Sequence, residues 1–431
     1  MVLIRKKPSE VKGLKLDPID KKTRQQSADI LKDIEKDGIA GFRKHAERLG
    51  DLKPGQEFVI GKEKLKAAFE SLPKDEQEML VRTADRIRKF AQVQMSSVKE
   101  VTTDIPGGKA GQKLAPVAAA GCYAPGGRYP LPSSVLMTAI TARVAGVKKV
   151  WVASPNPVAV TLAAAYIADV DALLAVGGPQ AIGAFAYGLE DIVPQCNAIV
   201  GPGNRWVTAA KQIVSGSQCT IDMLAGPSEC LVICDKSAKP DIIAADLLAQ
   251  AEHDTDALPI LVTTDETMID KVNEELEKQL ETLPTAETAR VSASKGIAVY
   301  CKTMEKAIEI SDVFAPEHLE VMTENSQQVA DKLNNYGGLF IGERSAEVFG
   351  DYGAGPNHVL PTSGSARHTG GLSVFMFLRV RTWMRIDENN EASNMLIRDS
   401  AQLARLEGLE GHARAADIRR GELSNKRQKI A

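Results

Sequence analysis

Apolar residues recur with a helical period early in the chain. Ile30, Leu31, Ile34, Ile39 and Phe42 share one face of an otherwise charged stretch, so residues 19–100 read as a helical lead-in. From 114 to 235 the pattern changes to short apolar runs, at 117–122, 150–153, 172–176, 198–200 and 230–234, alternating with helix-period segments at 135–145, 159–167, 180–187 and 207–214. Strands separated by helices predict a parallel sheet wound with helices. A second pattern of the same kind follows, with helices at 241–252, 268–283 and 304–313 and strands at 260–263, 296–300 and 338–341. Beyond Gly371 an aromatic and basic stretch (Phe375, Phe377, Arg379, Arg381, Trp383, Arg385) leads to a helix-period tail at 393–416, too small to fold alone.

Several strand-like runs end in turn clusters: Ala124-Pro-Gly-Gly127, Ser154-Pro-Asn-Pro157, Gly177-Gly-Pro-Gln180 and Gly201-Pro-Gly-Asn204. At the carboxyl ends of parallel strands such turns let backbone amides approach phosphates, and a nucleotide is one candidate ligand. The same residues also simply make tight turns, and no complete dinucleotide or P-loop motif is present.

Charge narrows the partners. With 53 Lys and Arg against 56 Asp and Glu, the net charge of -3 gives no field that draws the chain to nucleic acid. The opening Met1-Val-Leu-Ile4 runs straight into Arg5-Lys-Lys-Pro8, too short for a signal peptide, and no apolar run approaches a membrane span. A soluble, cytoplasmic protein is expected, without nucleic-acid or membrane partners. The six cysteines include no C-x-x-C, and Cys230 and Cys234 fall on one face of a strand, so buried free thiols are expected.

Four histidines stand in unusual contexts. Gln250 and His253 are three apart at the end of a helix opened by Pro240, a spacing able to share one ion and equally that of a solvated helix end. Glu317 and His318 are adjacent after Pro316, so a regular backbone would send them to different sides, one as base and one to activate water. Asp351 and His358 lie in Gly350-Asp-Tyr-Gly-Ala-Gly-Pro-Asn-His358, read as a fixed irregular loop. Glu407 and His412, five apart on the tail, fall near opposite faces unless the helix ends at Gly408 or Gly411.

The ordered motifs Gly121-Cys-Tyr-Ala-Pro-Gly-Gly127, Gly177-Gly-Pro-Gln-Ala181, Gly201-Pro-Gly-Asn204, Ala225-Gly-Pro-Ser-Glu229, Gln250-Ala-Glu-His253, Ala315-Pro-Glu-His318 and Asn357-His-Val-Leu-Pro361 closely resemble the histidinol dehydrogenase family, over about residues 20–420. The resemblance implies an α/β fold of two incomplete Rossmann-like domains with parallel-type sheets, a helical N-terminal segment and a C-terminal helical tail. It implies a homodimer with shared active sites, zinc, and NAD-dependent oxidation of L-histidinol to L-histidine, in histidine biosynthesis. Zinc would be held by Gln250, His253 and Asp351 of one chain and His412 of the other. Glu317 and His318 would be catalytic; Ser228, His358 and Glu407 would join the zinc ligands and the catalytic pair around the substrate, and Tyr123, Gln180 and Asn204 would face NAD.

The division expected on this basis is an arm at 1–24, a discontinuous first domain at 25–120 and 235–375, an NAD-binding domain at 121–234, and an exchanged tail at 376–431. Gly127-Arg-Tyr-Pro-Leu-Pro132 and the 361–373 stretch also resemble sulfopropanediol dehydrogenase, where Arg128, Arg367 or Arg379 would serve a sulfonate; the Gly226-Pro-Ser-Glu229 segment resembles the histidinol form. A non-catalytic zinc-stabilised binding protein is the reading of a different class. It needs a closed metal shell and gives the Glu317–His318 pair no task.

Overall fold

Cys230, Val232 and Cys234 face one apolar core while Leu231 and Ile233 face another, which is the alternation of a strand covered on both sides. The computed structural model describes residues 2–11, 19–126, 129–224 and 226–420. The chain forms two compact units, residues 1–95 with 117–377 and residues 96–116 with 378–431.

The first unit contains two six-stranded sheets. In one, the strands run in the order 4–6, 297–300, 258–263, 229–234, 318–322, 338–341, all parallel. In the other the order is 59–61, 172–174, 149–153, 119–123, 198–200, 220–221, parallel except for the first strand. Helix ends are set by their own side chains: Asp20, Asn204, Asp265 and Thr303 each cap a helix by accepting from a backbone amide.

The expected division of the chain needs three corrections. Strand 229–234, read with the glycine-rich set, lies inside the other sheet between 258–263 and 318–322. Its apolar run fixes burial but not neighbours. The helix Lys21–Arg48, assigned from residue 25 on with 235–375, belongs instead with the glycine-rich sheet, because its Ile30, Leu31, Ile34 and Phe42 share a core with Phe185 and Ile199. Residues 101–105 and 108–116 form a hairpin in the second unit, where the strand Leu378–Ile386 pairs antiparallel with 108–116. The alternating Arg379, Arg381, Trp383, Arg385 stretch is therefore a strand. The tail beyond it is two helices, Glu391–Leu406 and Glu410–Asp417, broken at Gly408 with φ +77°.

The six cysteines are free and buried, as the spacing predicts. Among the described residues no helix is long and apolar enough to cross a membrane.

Candidate active site

The turns of both sheets in the first unit line one cleft of about 1420 Å³. From the glycine-rich sheet come Tyr123, Gly177, Gly178, Gln180, Gly201 and Asn204; from the other come Ser228, His253, Glu317 and His358. Gly201, at φ +116°, is required as glycine: a Cβ there would stand 2.0 Å from the Tyr123 carbonyl oxygen. Its amide donates to Asp222 at 2.7 Å, and the buried Lys211 ammonium bridges its carbonyl and Asp222.

At the other end, the helix Met304–Phe314 stops at Ala315, held at φ +50°, and Pro316 prevents its resumption. Glu317 therefore precedes the strand that begins at His318. The expectation that their side chains diverge is not met. Glu317 Oε2 accepts from the Glu229 amide at 3.0 Å, and His318 Nδ1 donates to the Glu229 carbonyl at 3.2 Å, so one residue of the neighbouring strand gathers both. The carboxylate and the imidazole lie 3.8 Å apart.

That contact fixes the His318 tautomer and turns Nε2 toward Asp351 Oδ1, 3.5 Å away, without a well-directed hydrogen bond. Burial opposes charge on His318, but Glu317, Asp351 and Glu347 outweigh it and raise the imidazole well above its ordinary value. Burial pushes the Glu317 carboxyl up to about 8 and Glu229 to about 7. Burial also acts to raise Asp351, yet its close contact with His318 and the nearby His358 and His253 rings hold it below the ordinary carboxylate value.

Asp351 does not lie in an irregular loop; it occupies the short helix Glu347–Tyr352, which packs on the helix Pro240–Ala251 that carries Gln250. His253 Nε2 stands 3.8 Å from Asp351 Oδ2. Gln250 is 1% exposed and its Oε1 has no hydrogen-bond partner, a costly arrangement unless the oxygen is a ligand. A carboxamide oxygen, an imidazole and a carboxylate are donor types that fit a zinc ion. His358 Nδ1 donates to the Asp351 carbonyl at 2.9 Å, so Nε2 is an acceptor, facing Ser134 Oγ at 3.4 Å; burial lowers its pKa and keeps the ring neutral.

Glu407 and His412 lie in the second unit and are exposed, Glu407 closing one tail helix and His412 within the next. Arg128 lies outside the described residues. Arg367 donates to the carbonyls of Gly364 and Val313, and Arg379, in the second unit, to that of Pro116.

Four acids and a thiol near His318 escaped the sequence reading as functional groups. Cys230, Glu320 and Glu347 hold ligand-type atoms within 4.8 Å of one another, a different group from the expected metal set. Burial raises Glu347 to about 7 and Asp246 to about 6, lifts Glu320 and Cys230 well above their ordinary values, and the Cys230 thiol donates to Glu347. Burial thus works against charge on all four of these groups. Glu229, the fourth acid, sits within a motif, but only strand pairing shows that its backbone binds the catalytic candidates.

Residues 17–420 match the sequence profile of a family described as histidinol dehydrogenase. A histidinol dehydrogenase of Thermus thermophilus is 42% identical over 410 residues, covering 95% of this chain and 97% of that protein. A sulfopropanediol 3-dehydrogenase of Ruegeria pomeroyi is 39% identical over 399 residues, covering 90% of each. The crystal structure of a histidinol dehydrogenase from Elizabethkingia anophelis superposes with a TM-score of 0.89 at 30% identity, covering 97% of this chain and 98% of that one.

Proposed function

Since the chain belongs to the histidinol dehydrogenase family, and is thus an oxidoreductase acting on CH–OH groups, we propose that it oxidises L-histidinol to L-histidine in two NAD-dependent steps through the aldehyde. The observation that carries this reading is the character of the cleft end around Glu317. The Glu317 carboxyl and the neutral His358 Nε2 line it, and the Asp351 carboxyl lies behind, beside His318. The arginines lining the described cleft, Arg48 and Arg205, belong to a helix end and to the residue after the Gly201–Asn204 turn. Such an end suits a cationic amino alcohol better than an anionic sulfonate.

In this reading Gln250, His253 and Asp351, with His412 of a second copy, hold zinc, which when bound anchors nitrogen and oxygen groups of the substrate. Tyr123, Gln180 and Asn204 face NAD, which when bound supplies the hydride acceptor. Ser228, His358 and Glu407 orient the substrate between them. His318 Nε2 takes the hydroxyl proton, and Glu317, Glu347 and Asp351 stabilise the imidazolium that forms. For the second oxidation the aldehyde is hydrated: Glu317 takes a proton from water, and His318 again removes the hydroxyl proton of the hydrate.

The test is a panel of alcohols assayed for NADH, including histidinol and dihydroxypropanesulfonate. We expect two NADH per histidinol and histidine as product. Turnover of the sulfonate with none of histidinol would overturn the reading.

A further inference from the structure

Open α/β sheets ordinarily meet a dinucleotide's phosphates with the free amides of the turns after their strands. Here those turns have satisfied several of their own amides. The Gly177 amide donates to Asp51 Oδ2 at 3.1 Å and the Gly178 amide to Tyr123 Oη at 3.1 Å. The Gly201 amide is taken by Asp222, and Asn204 Oδ1 accepts from the amides of Trp206 and Val207. Two of these acceptors are carboxyl groups lining the cleft: Asp222 is answered by the buried Lys211 ammonium, whereas Asp51 accepts from the neutral Gly177 amide and Gln180 carboxamide, so the Gly177 turn presents negative charge where phosphates are expected. Cationic side chains have to answer it.

Arg48 and Arg205 are the arginines of the described cleft. Arg205 lies within 4.0 Å of the carboxylates of Asp20 and Asp256 and stacks on Trp206. Arg48 differs. Among the described residues no carboxylate pairs with it; its Nη2 donates to Nδ1 of the buried His45 at 3.1 Å, and His45 Nε2 donates in turn to Asp33 at 2.8 Å. A fixed imidazole thus aims the guanidinium and leaves most of its donors unused. Just beyond it Gly50, at φ +84°, turns the chain so that Asp51, three residues after Arg48, reaches Gly177 and Gln180, and Arg48 lines the same cleft as that turn.

We propose that Arg48, at the end of the N-terminal helix Lys21–Arg48, binds the pyrophosphate of the dinucleotide while Asp51 locks the adjoining glycine turn. This rests on the NAD reading above and assigns the anionic anchor to a segment that otherwise reads as a helical lead-in.

Calorimetric binding to the metal-loaded protein, without alcohol, tests it with ADP-ribose and with adenosine, which lacks the phosphates. Arg48→Gln should weaken ADP-ribose about tenfold, the size of a charge-assisted hydrogen-bond contact, with Arg48→Lys between the two. Adenosine should bind the variant and the parent protein alike. Equal ADP-ribose affinities, or equal weakening of adenosine, would overturn the proposal. Failure of the unsubstituted protein to bind ADP-ribose or NAD would sink the cofactor reading itself and the anchor with it. Should the variant not fold, phenylglyoxal labelling of the unsubstituted protein decides: ADP-ribose should protect Arg48, and identical labelling with and without it would refute the contact.

Discussion

Glu317 and His318 touch the same backbone residue, yet their proposed tasks separate cleanly. His318→Asn should slow oxidation of alcohol and aldehyde alike, since both steps lose a proton to Nε2. Glu317→Gln should damage mainly the aldehyde step, because only that step consumes water, and the amide oxygen can still accept from Glu229. Supplying histidinol and its aldehyde separately checks this; equal losses on both in the Glu317 variant would contradict the division of roles. These two residues were legible in the sequence because Pro316 and the adjacent acid and imidazole are chemically conspicuous. Their convergence was not, because it depends on a strand partner nearly ninety positions away, Glu229. Glu320 carried a readable signal, a charged residue inside the apolar strand His318–Met322, where alternation puts it on the face of His318.

Three buried elements and a short helix meet at the buried acids behind His318: strand 229–234 brings Cys230, helix 240–251 Asp246, strand 318–322 Glu320 and helix 347–352 Glu347. Burial raises Glu347 to about 7 and Asp246 to about 6. A carboxyl that holds its proton more tightly folded than unfolded contributes stability in full below its unfolded pKa of about 4, and loses it as pH rises through the folded value. His318, also raised, acts in the same direction. The melting temperature of the metal-free protein should therefore fall between about pH 5 and about pH 8, and Glu347→Gln should make that fall shallower. An unchanged slope in the variant would show that the carboxyl holds its proton no more tightly in the folded state than in the unfolded one. Most elements of the first unit were legible because strands alternating with helices leave a plain periodic signature. The hairpin 101–116 was not, since its charged, half-exposed strands carry no apolar run.

His412 and Asp351 belong to different units of the chain, and the proposal draws them together from two copies. Mixing inactive Asp351→Ala chains with inactive His412→Ala chains, under subunit exchange, tests this. A mixed dimer then has one doubly defective site and one intact site, and random pairing makes about half the dimers mixed, so roughly a quarter of the activity should return. Proven exchange with no recovery would reject the shared site and leave the ligand assignment within one chain to be tested. The tail's composition showed that it must pack on something but not which strand it would join. Synthesis imposes a delay on that pairing. Arg379 donates to the carbonyl of Pro116, 263 positions earlier, and the paired edge of 108–116 has no partner until residues 378–386 leave the ribosome. At about 5–20 residues per second the hairpin waits on the order of tens of seconds with one edge open. During translation this edge is open to strand-to-strand capture by a neighbouring polypeptide, and a chaperone that shields it should raise the yield of folded protein more than one acting on the completed chain.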